Sequence, residues 1–202
     1  MSTTCKIATD ILYNCDFPPV TGSRDRVIVL PRRLVKGYTL NTTNPLIIED
    51  IDRILNATET EFEGKAVQYV GNGRILSPQL ELVEDDFGGG YMHQLEFHVF
   101  GTTPEVKYEL HKLKNEIAGH VLILQQNYKD TTGKSEYLVL GRDVGCYVKE
   151  MQDEEGRNIM RLLIGNRDDK NEPLPTSNLF ITDKDTTDEL VEGLLSVVIP
   201  SP

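Results

Sequence analysis

The sequence predicts a mainly β protein of the α+β kind: an antiparallel β-sandwich or barrel with one helix packed across a sheet. Three observations carry this. Apolar runs are short and separated by dense turn residues, which is the habit of strands. Two stretches alternate apolar and polar residues with period two, as a sheet with one wet face requires. A third stretch, and only one with conviction, repeats its apolar residues at helical spacing.

In chain order, RVIVL (Arg26 to Leu30) reads as a buried strand ended by Pro31. NPLIIEDIDRILNATE, from Asn44, reads two ways. Asn44 and Pro45 resemble a helix start, whereas Ile47, Ile48 and Ile51 also suit an extended arm. GNGR (Gly71 to Arg74) reads as a hairpin turn, being too short for a dinucleotide fingerprint. In ILSPQLELV, Leu76, Leu80 and Leu82 share one face while Ser77, Gln79 and Glu81 share the other. From Tyr91 to Phe100, Leu95, Phe97 and Val99 form the apolar face, and Gln94, Glu96 and His98 the polar one.

These two strands are joined by Glu84, Asp85, Asp86, Phe87, Gly88, Gly89 and Gly90. Acidic residues beside three glycines raise the question of a metal or phosphate site. A phosphate loop needs a strand–loop–helix setting and a lysine after the glycines, and a calcium loop needs its own ligand spacing. Neither pattern is present, so the segment reads as a solvated loop.

TTPEVKYELHKLKNEIAG supplies the helix. Thr103 is the N-cap, Pro104 the first helical residue and Glu105 an acid in the first turn. Val106, Leu110, Leu113 and Ile117 form the stripe, and Gly119 the stop. HVLILQQN, SEYLVLG, VGCYVKE and RNIMRLLIG then read as a four-strand antiparallel meander with glycine-bearing turns. NRDDKNEPLPTSN reads as a polar linker. A short strand LFIT, a helix with a capping box from Thr186 to Glu189, and the tail SVVIPSP complete the chain. This divides it into a β domain over 1–165, with a long N-terminal excursion, and a linker and C-terminal arm over 166–202.

Composition narrows the function. The net charge of −11 disfavours a protein that holds nucleic acid, because such proteins neutralise phosphates with Lys and Arg. No apolar run reaches the ~18 residues of a membrane span, and MSTTCKIATD lacks the basic-then-apolar pattern of a secretory signal. Cys5, Cys15 and Cys146 cannot all pair within one chain and do not have zinc spacing. They fit a reducing compartment during synthesis. His93 and His98 fall on opposite faces of one strand, while His111 and His120 lie in the helix and at the start of the next strand; none is expected to bind metal. No nucleophile elbow is present. Catalytic, cofactor-binding and metal-binding residues are therefore all expected to be absent.

VFGTTPEVKYELHKLKNEIAGHVLILQQNYKDTTGKSEYLVLGRDVGCYV resembles the helix and following hairpin of the tail tube proteins of tailed bacteriophages. CDFPPVTGSRDRVIVLPRR resembles the opening of such proteins in phages of gut bacteria, including the crAss-like phages. The resemblance covers about residues 5–165 and is a pattern of elements without a diagnostic motif. The segment after Asn166 and the long RRLVKGYTLNTTNPLIIEDIDRI depart from a minimal tube protein, which points to a tail hub, neck or other ring protein as alternatives within the group.

The resemblance implies a non-enzymatic virion protein, made in the host cytoplasm. It would form a hexameric or dodecameric ring in the tail or neck, whose sheets close into a larger β-barrel on oligomerisation. Gln79, Glu81, Gln94 and Glu96 would face an acidic lumen through which DNA passes during ejection without specific binding. The loop from Glu84 to Gly90, anchored by Phe87, would reach an adjacent ring. Partners would be further copies and other tail, neck or portal-side ring proteins, with no membrane involved. Two other classes compete. One is a β-sandwich module binding a glycan or other ligand, disfavoured by the absence of tryptophan. The other is a hydrolase using Glu81, Glu96 or Asp86 as paired carboxylates.

Overall fold

The computed structural model describes residues 23–53, 66–70, 79–83, 89–100, 103–126, 134–154 and 159–195. The protein is mainly β, with two open sheets. Strands β1 (Ser23–Pro31), β2 (Val35–Leu40), β3 (Ile47–Arg53), β4 (Val67–Val70), β7 (His120–Gln126), β8 (Tyr137–Leu140) and β11 (Ser177–Leu179) form a seven-stranded sheet in the order β2-β3-β11-β8-β7-β1-β4. Strands β5 (Gln79–Val83), β6 (Gly90–Phe100), β9 (Tyr147–Glu154) and β10 (Ile159–Gly165) form a four-stranded sheet in the order β5-β6-β10-β9. Helices α1 (Pro104–Asn115) and α2 (Lys184–Leu195) accompany them.

The sheets share one core. Val27, Val29, Leu122, Leu124, Leu138 and Leu140 of the larger sheet meet Leu95, Phe97, Leu162 and Ile164 of the smaller, and Leu110 and Leu113 of α1 join the same core. A second core lies on the other face of the larger sheet. Here Ile28, Leu30, Ile48, Val121, Ile123 and Val139 pack with Val191 and Leu194 of α2. Because β1 and β7 are buried on both faces, they read as continuous apolar runs, whereas β6 carries one core face only and alternates.

Local chemistry explains the boundaries. The Thr103 side chain accepts the Val106 N–H at 3.4 Å, capping α1 as expected, with Pro104 in the first turn. The helix stops at Asn115, so Ile117 of the expected stripe lies beyond it and is 85% exposed. Gly119 has φ 76°, and a Cβ there would meet the Tyr147 ring at 2.7 Å; that close approach makes the glycine necessary. For α2 the cap is Asp183 rather than Thr186: the Asp183 carboxylate accepts the Thr186 N–H at 2.8 Å. The segment after Asn44 resolves to strand β3. The Asn41 and Asn44 side chains accept N–H groups two and three residues ahead, forming Asx turns that launch an extended chain.

Two expectations about topology change. The four strands after α1 do not form one meander. β7 pairs with β8 in the larger sheet and β9 with β10 in the smaller, so the chain changes sheets at GRDVG. Gly141 and Gly145 both have positive φ there, at 72° and 83°, which lets two close corners fold where a hairpin would have continued the sheet. Residues 166–195, expected as a linker and arm, are built into the fold. β11 lies between β3 and β8, and α2 closes the second core. The tail after 195, like GNGR, Cys5 and Cys15, lies outside the described residues.

Candidate functional site

The register places the predicted polar residues on one face of the smaller sheet. Gln79 lies opposite Gln94, and Glu81 opposite Met92. Of Gln79 and Glu81 only the backbone positions are described. On β6, His93, Leu95 and Phe97 are buried in the core while Gln94, Glu96 and His98 are half-buried on the outer face. The alternation read from sequence is thus the true facing of the strand. Continuing the register, Arg161 and Leu163 of β10, and Glu150 and Gln152 of β9, share that outer face.

Its chemistry differs from a row of free carboxylates. Arg161 donates to both oxygens of Glu96, Nε to Oε1 at 2.7 Å and Nη2 to Oε2 at 2.8 Å. Bidentate pairs of this kind are strong and geometrically specific. The hydrogen bond from Arg161 holds the Glu96 carboxyl below its ordinary pKa, against the opposing effect of burial. A general acid needs the reverse shift, so Glu96 is poorly set for the proton donation a hydrolase would ask of it. Position-specific reasoning missed Arg161, although its place on the polar side of an alternating strand was a usable signal. Glu150 stays exposed on the same face.

Both outer strands of this sheet lack a second partner among the described residues: β5 pairs only with β6, and β9 only with β10. Of the connecting loop, Glu84, Asp85, Asp86, Phe87 and Gly88 lie outside the described residues. Gly89 is exposed with φ 71°. Gly90 belongs to β6 and is buried. A Cβ on Gly90 would come within 2.6 Å of the Asn171 Cβ and 2.9 Å of the Glu172 carbonyl. The last glycine of the loop is therefore held against its own chain.

Behind the face lies a buried polar node, two of whose residues, Asn166 and Glu172, belong to the segment expected as a polar linker. Glu172, 1% exposed, accepts the N–H groups of Asp143 (3.0 Å) and Val144 (3.0 Å) at the sheet-changing corner. Burial still pushes its pKa up, the backbone hydrogen bonds opposing. Asn166, fully buried, accepts the His93 N–H at 2.6 Å and donates to the Gly145 carbonyl at 3.1 Å. His93 Nδ1 accepts the Gly141 N–H at 3.2 Å, which fixes a neutral tautomer carrying its proton on Nε2. Burial lowers its pKa to about 4. Cys146, buried beside the corner, is a free thiol whose pKa burial raises, so it has the character of packing rather than of a nucleophile. The node holds 141–146 in place and so sets how the two sheets meet.

Among the described residues, no cluster of three or more His, Cys, Asp or Glu could hold a metal ion, and no helix is long and apolar enough to cross a membrane. Comparison with protein families, with curated proteins and with solved structures finds no match to this chain.

Proposed function

We propose that this protein is a ring-forming structural protein of a phage tail or neck. The observation that carries the reading is the smaller sheet: one face in the core, the other outward and polar, and two outer strands each paired on one side only among the described residues. Unpaired edges are a liability that closure removes. Pairing β9 of one copy with β5 of the next would extend the sheet by four strands per copy. Six copies would give about 24 strands at ~4.8 Å spacing, or roughly 115 Å of circumference before tilt. Porins of about 16–18 strands already leave an aqueous channel, so such a barrel has room for a nucleic-acid duplex.

The wall would be acidic but not uniformly so. Glu150 and the positions of Glu81 and Glu154 fall on the outward face by register, whereas Glu96 is matched by Arg161. Carboxylates without such a partner would repel phosphate and let DNA slide. The core position of residues 166–195 supports one compact subunit, leaving Phe87 and its neighbours as the inter-ring contact in this reading.

The test is light scattering of purified protein across a concentration series, with electron microscopy of the same sample. Closed rings or stacked tubes with a central hole are expected. A monomer at every concentration, remaining single when mixed with the tail and neck proteins of its own virion, overturns the proposal.

A further inference from the structure

A polar cleft of about 240 Å3 opens beside β2, lined by Arg32, Lys36, Gly37, Tyr38, Arg142 and Asp143 among others. Its two guanidinium groups are in different situations. Arg142 is buried and fully engaged: Nε donates to the Asp143 carboxylate at 3.0 Å, and Nη1 to the Pro45 carbonyl at 3.1 Å and the Ser177 hydroxyl at 3.2 Å. It uses up the one carboxylate in the cleft wall.

Arg32 has no such partner. It follows Pro31 in a short 3-10 turn whose backbone is fixed by an N–H bond to the Gly119 carbonyl at 2.9 Å. Gly145 leaves room for its stem, since a Cβ there would stand 3.1 Å from the Arg32 Cδ. Nη2 donates to the Asp143 carbonyl. Nε has no hydrogen-bond partner, and among the described residues no carboxylate pairs with the group. Lys36 adds a second positive charge, loosely set 3.5 Å from Asp52, with both side chains exposed; such pairs hold little energy. The nearby Glu172 carboxylate is already bonded to backbone N–H groups. A half-buried guanidinium without a counter-charge is costly, because charge removed from water needs a partner.

We infer that this cleft is an oxyanion site, in which Arg32 binds one carboxylate or phosphate group with Lys36 at the rim. Asp143, held by Arg142, keeps the site to a single small anion. The shared chemistry has two sources. One is free phosphate. The other is a carboxylate of a second copy, which the chain's excess of acidic residues, 32 against 21 basic, would supply. β2 is an outer strand of its sheet among the described residues, so a neighbour has access. The site stands whether or not the protein forms rings.

The test is nuclear magnetic resonance of the full chain, following the Gly37 amide and the Arg32 Nε–H while inorganic phosphate replaces chloride at constant ionic strength. A saturable shift is expected. It should weaken at least about tenfold in Arg32→Gln, as loss of charge-assisted hydrogen bonds implies. Gly37→Leu should weaken it without touching a guanidinium, because Gly37 lines the cleft and a side chain there meets no neighbour. If Arg32→Gln does not fold, Gly37→Leu carries the test. A shift that rises linearly without saturating, or that persists unchanged in the folded variants, overturns the inference. Sedimentation velocity on the same samples names the source. If phosphate and Arg32→Gln both weaken self-association, the occupant is a neighbour's carboxylate; if saturable binding leaves association unchanged, it is free phosphate.

Discussion

Acid should weaken this fold in part through His93. Its ring is 1% exposed, accepts the Gly141 N–H through Nδ1, and has a pKa lowered by burial from 6.5 to about 4. Above pH 6.5 the ring is neutral in both the folded and the unfolded chain, so it contributes no pH dependence. As pH falls through 6.5 the unfolded chain binds the proton first, and stability declines until the folded ring titrates near pH 4. At 1.36 kcal/mol per unit, the full loss is about 3 kcal/mol, a large share of the ~5–15 kcal/mol that holds a domain. The comparison variant is His93→Asn, whose amide oxygen retains an acceptor near the place of Nδ1 but does not titrate. Urea unfolding followed by far-ultraviolet circular dichroism, at several pH values from 7.5 to 4, gives both curves. At pH 7 the variant should be less stable by about 1–3 kcal/mol, as for a partly lost core contact. That gap should close or reverse by pH 4. Glu172, whose raised pKa acts in the opposite sense, and Glu96 are present in both proteins and cancel in the difference. Parallel curves, with a gap constant within about 0.5 kcal/mol, would refute the reasoning.

Gly90→Ala should cost about 2 kcal/mol or more, since its Cβ would overlap Asn171 and the Glu172 carbonyl; a thermal melt checks this, and Gly37→Ala should leave the melt nearly unchanged. Arg53 donates to the Gly193 and Leu194 carbonyls at 2.8 and 2.9 Å, closing the C-terminus of α2. Arg53→Ala should therefore cost about 1–2 kcal/mol and speed amide exchange in α2 more than in α1. Arg161→Ala should cost about 1 kcal/mol, because the pair is only half-buried. It should also return the Glu96 pKa toward the ordinary carboxylate range, as read by carbon-13 titration of that carboxyl. Where the pair is intact, its low folded pKa gives stability that is present above the unfolded value and lost as pH falls.

What could be read from the sequence was whatever is decided within a few residues. The alternation of β6 fixed its facing because one side chain in two must enter the core. Thr103 and Pro104 marked the start of α1 because capping is local. The sheet change at Gly141 to Cys146 was hidden, since a glycine-bearing turn looks the same whether its strands pair with each other or part. β11 was legible only in part: the strand read as LFIT begins at Leu179, where β11 ends, and its place in the sheet was hidden for a different reason. Its three residues acquire a place between β3 and β8 only through pairing across the chain, and nothing local announces those partners. Glu172 looked like part of a polar linker because its hydrogen-bond donors lie 28 and 29 residues away.

The outer face of the smaller sheet shows why this limit bears on function. Sequence could name Glu96 as an outward carboxylate but could not give its effective charge, which is set by a guanidinium 65 residues downstream. A face is not as acidic as its list of glutamates, because a bidentate partner on the next strand cancels one charge and fixes the geometry of the other. The repulsion proposed for a lumen must then come from positions with no such partner, Glu150 foremost. A charge reversal at Glu150 should disturb passage of DNA more than one at Glu96, where the first effect would be to break a cross-strand pair.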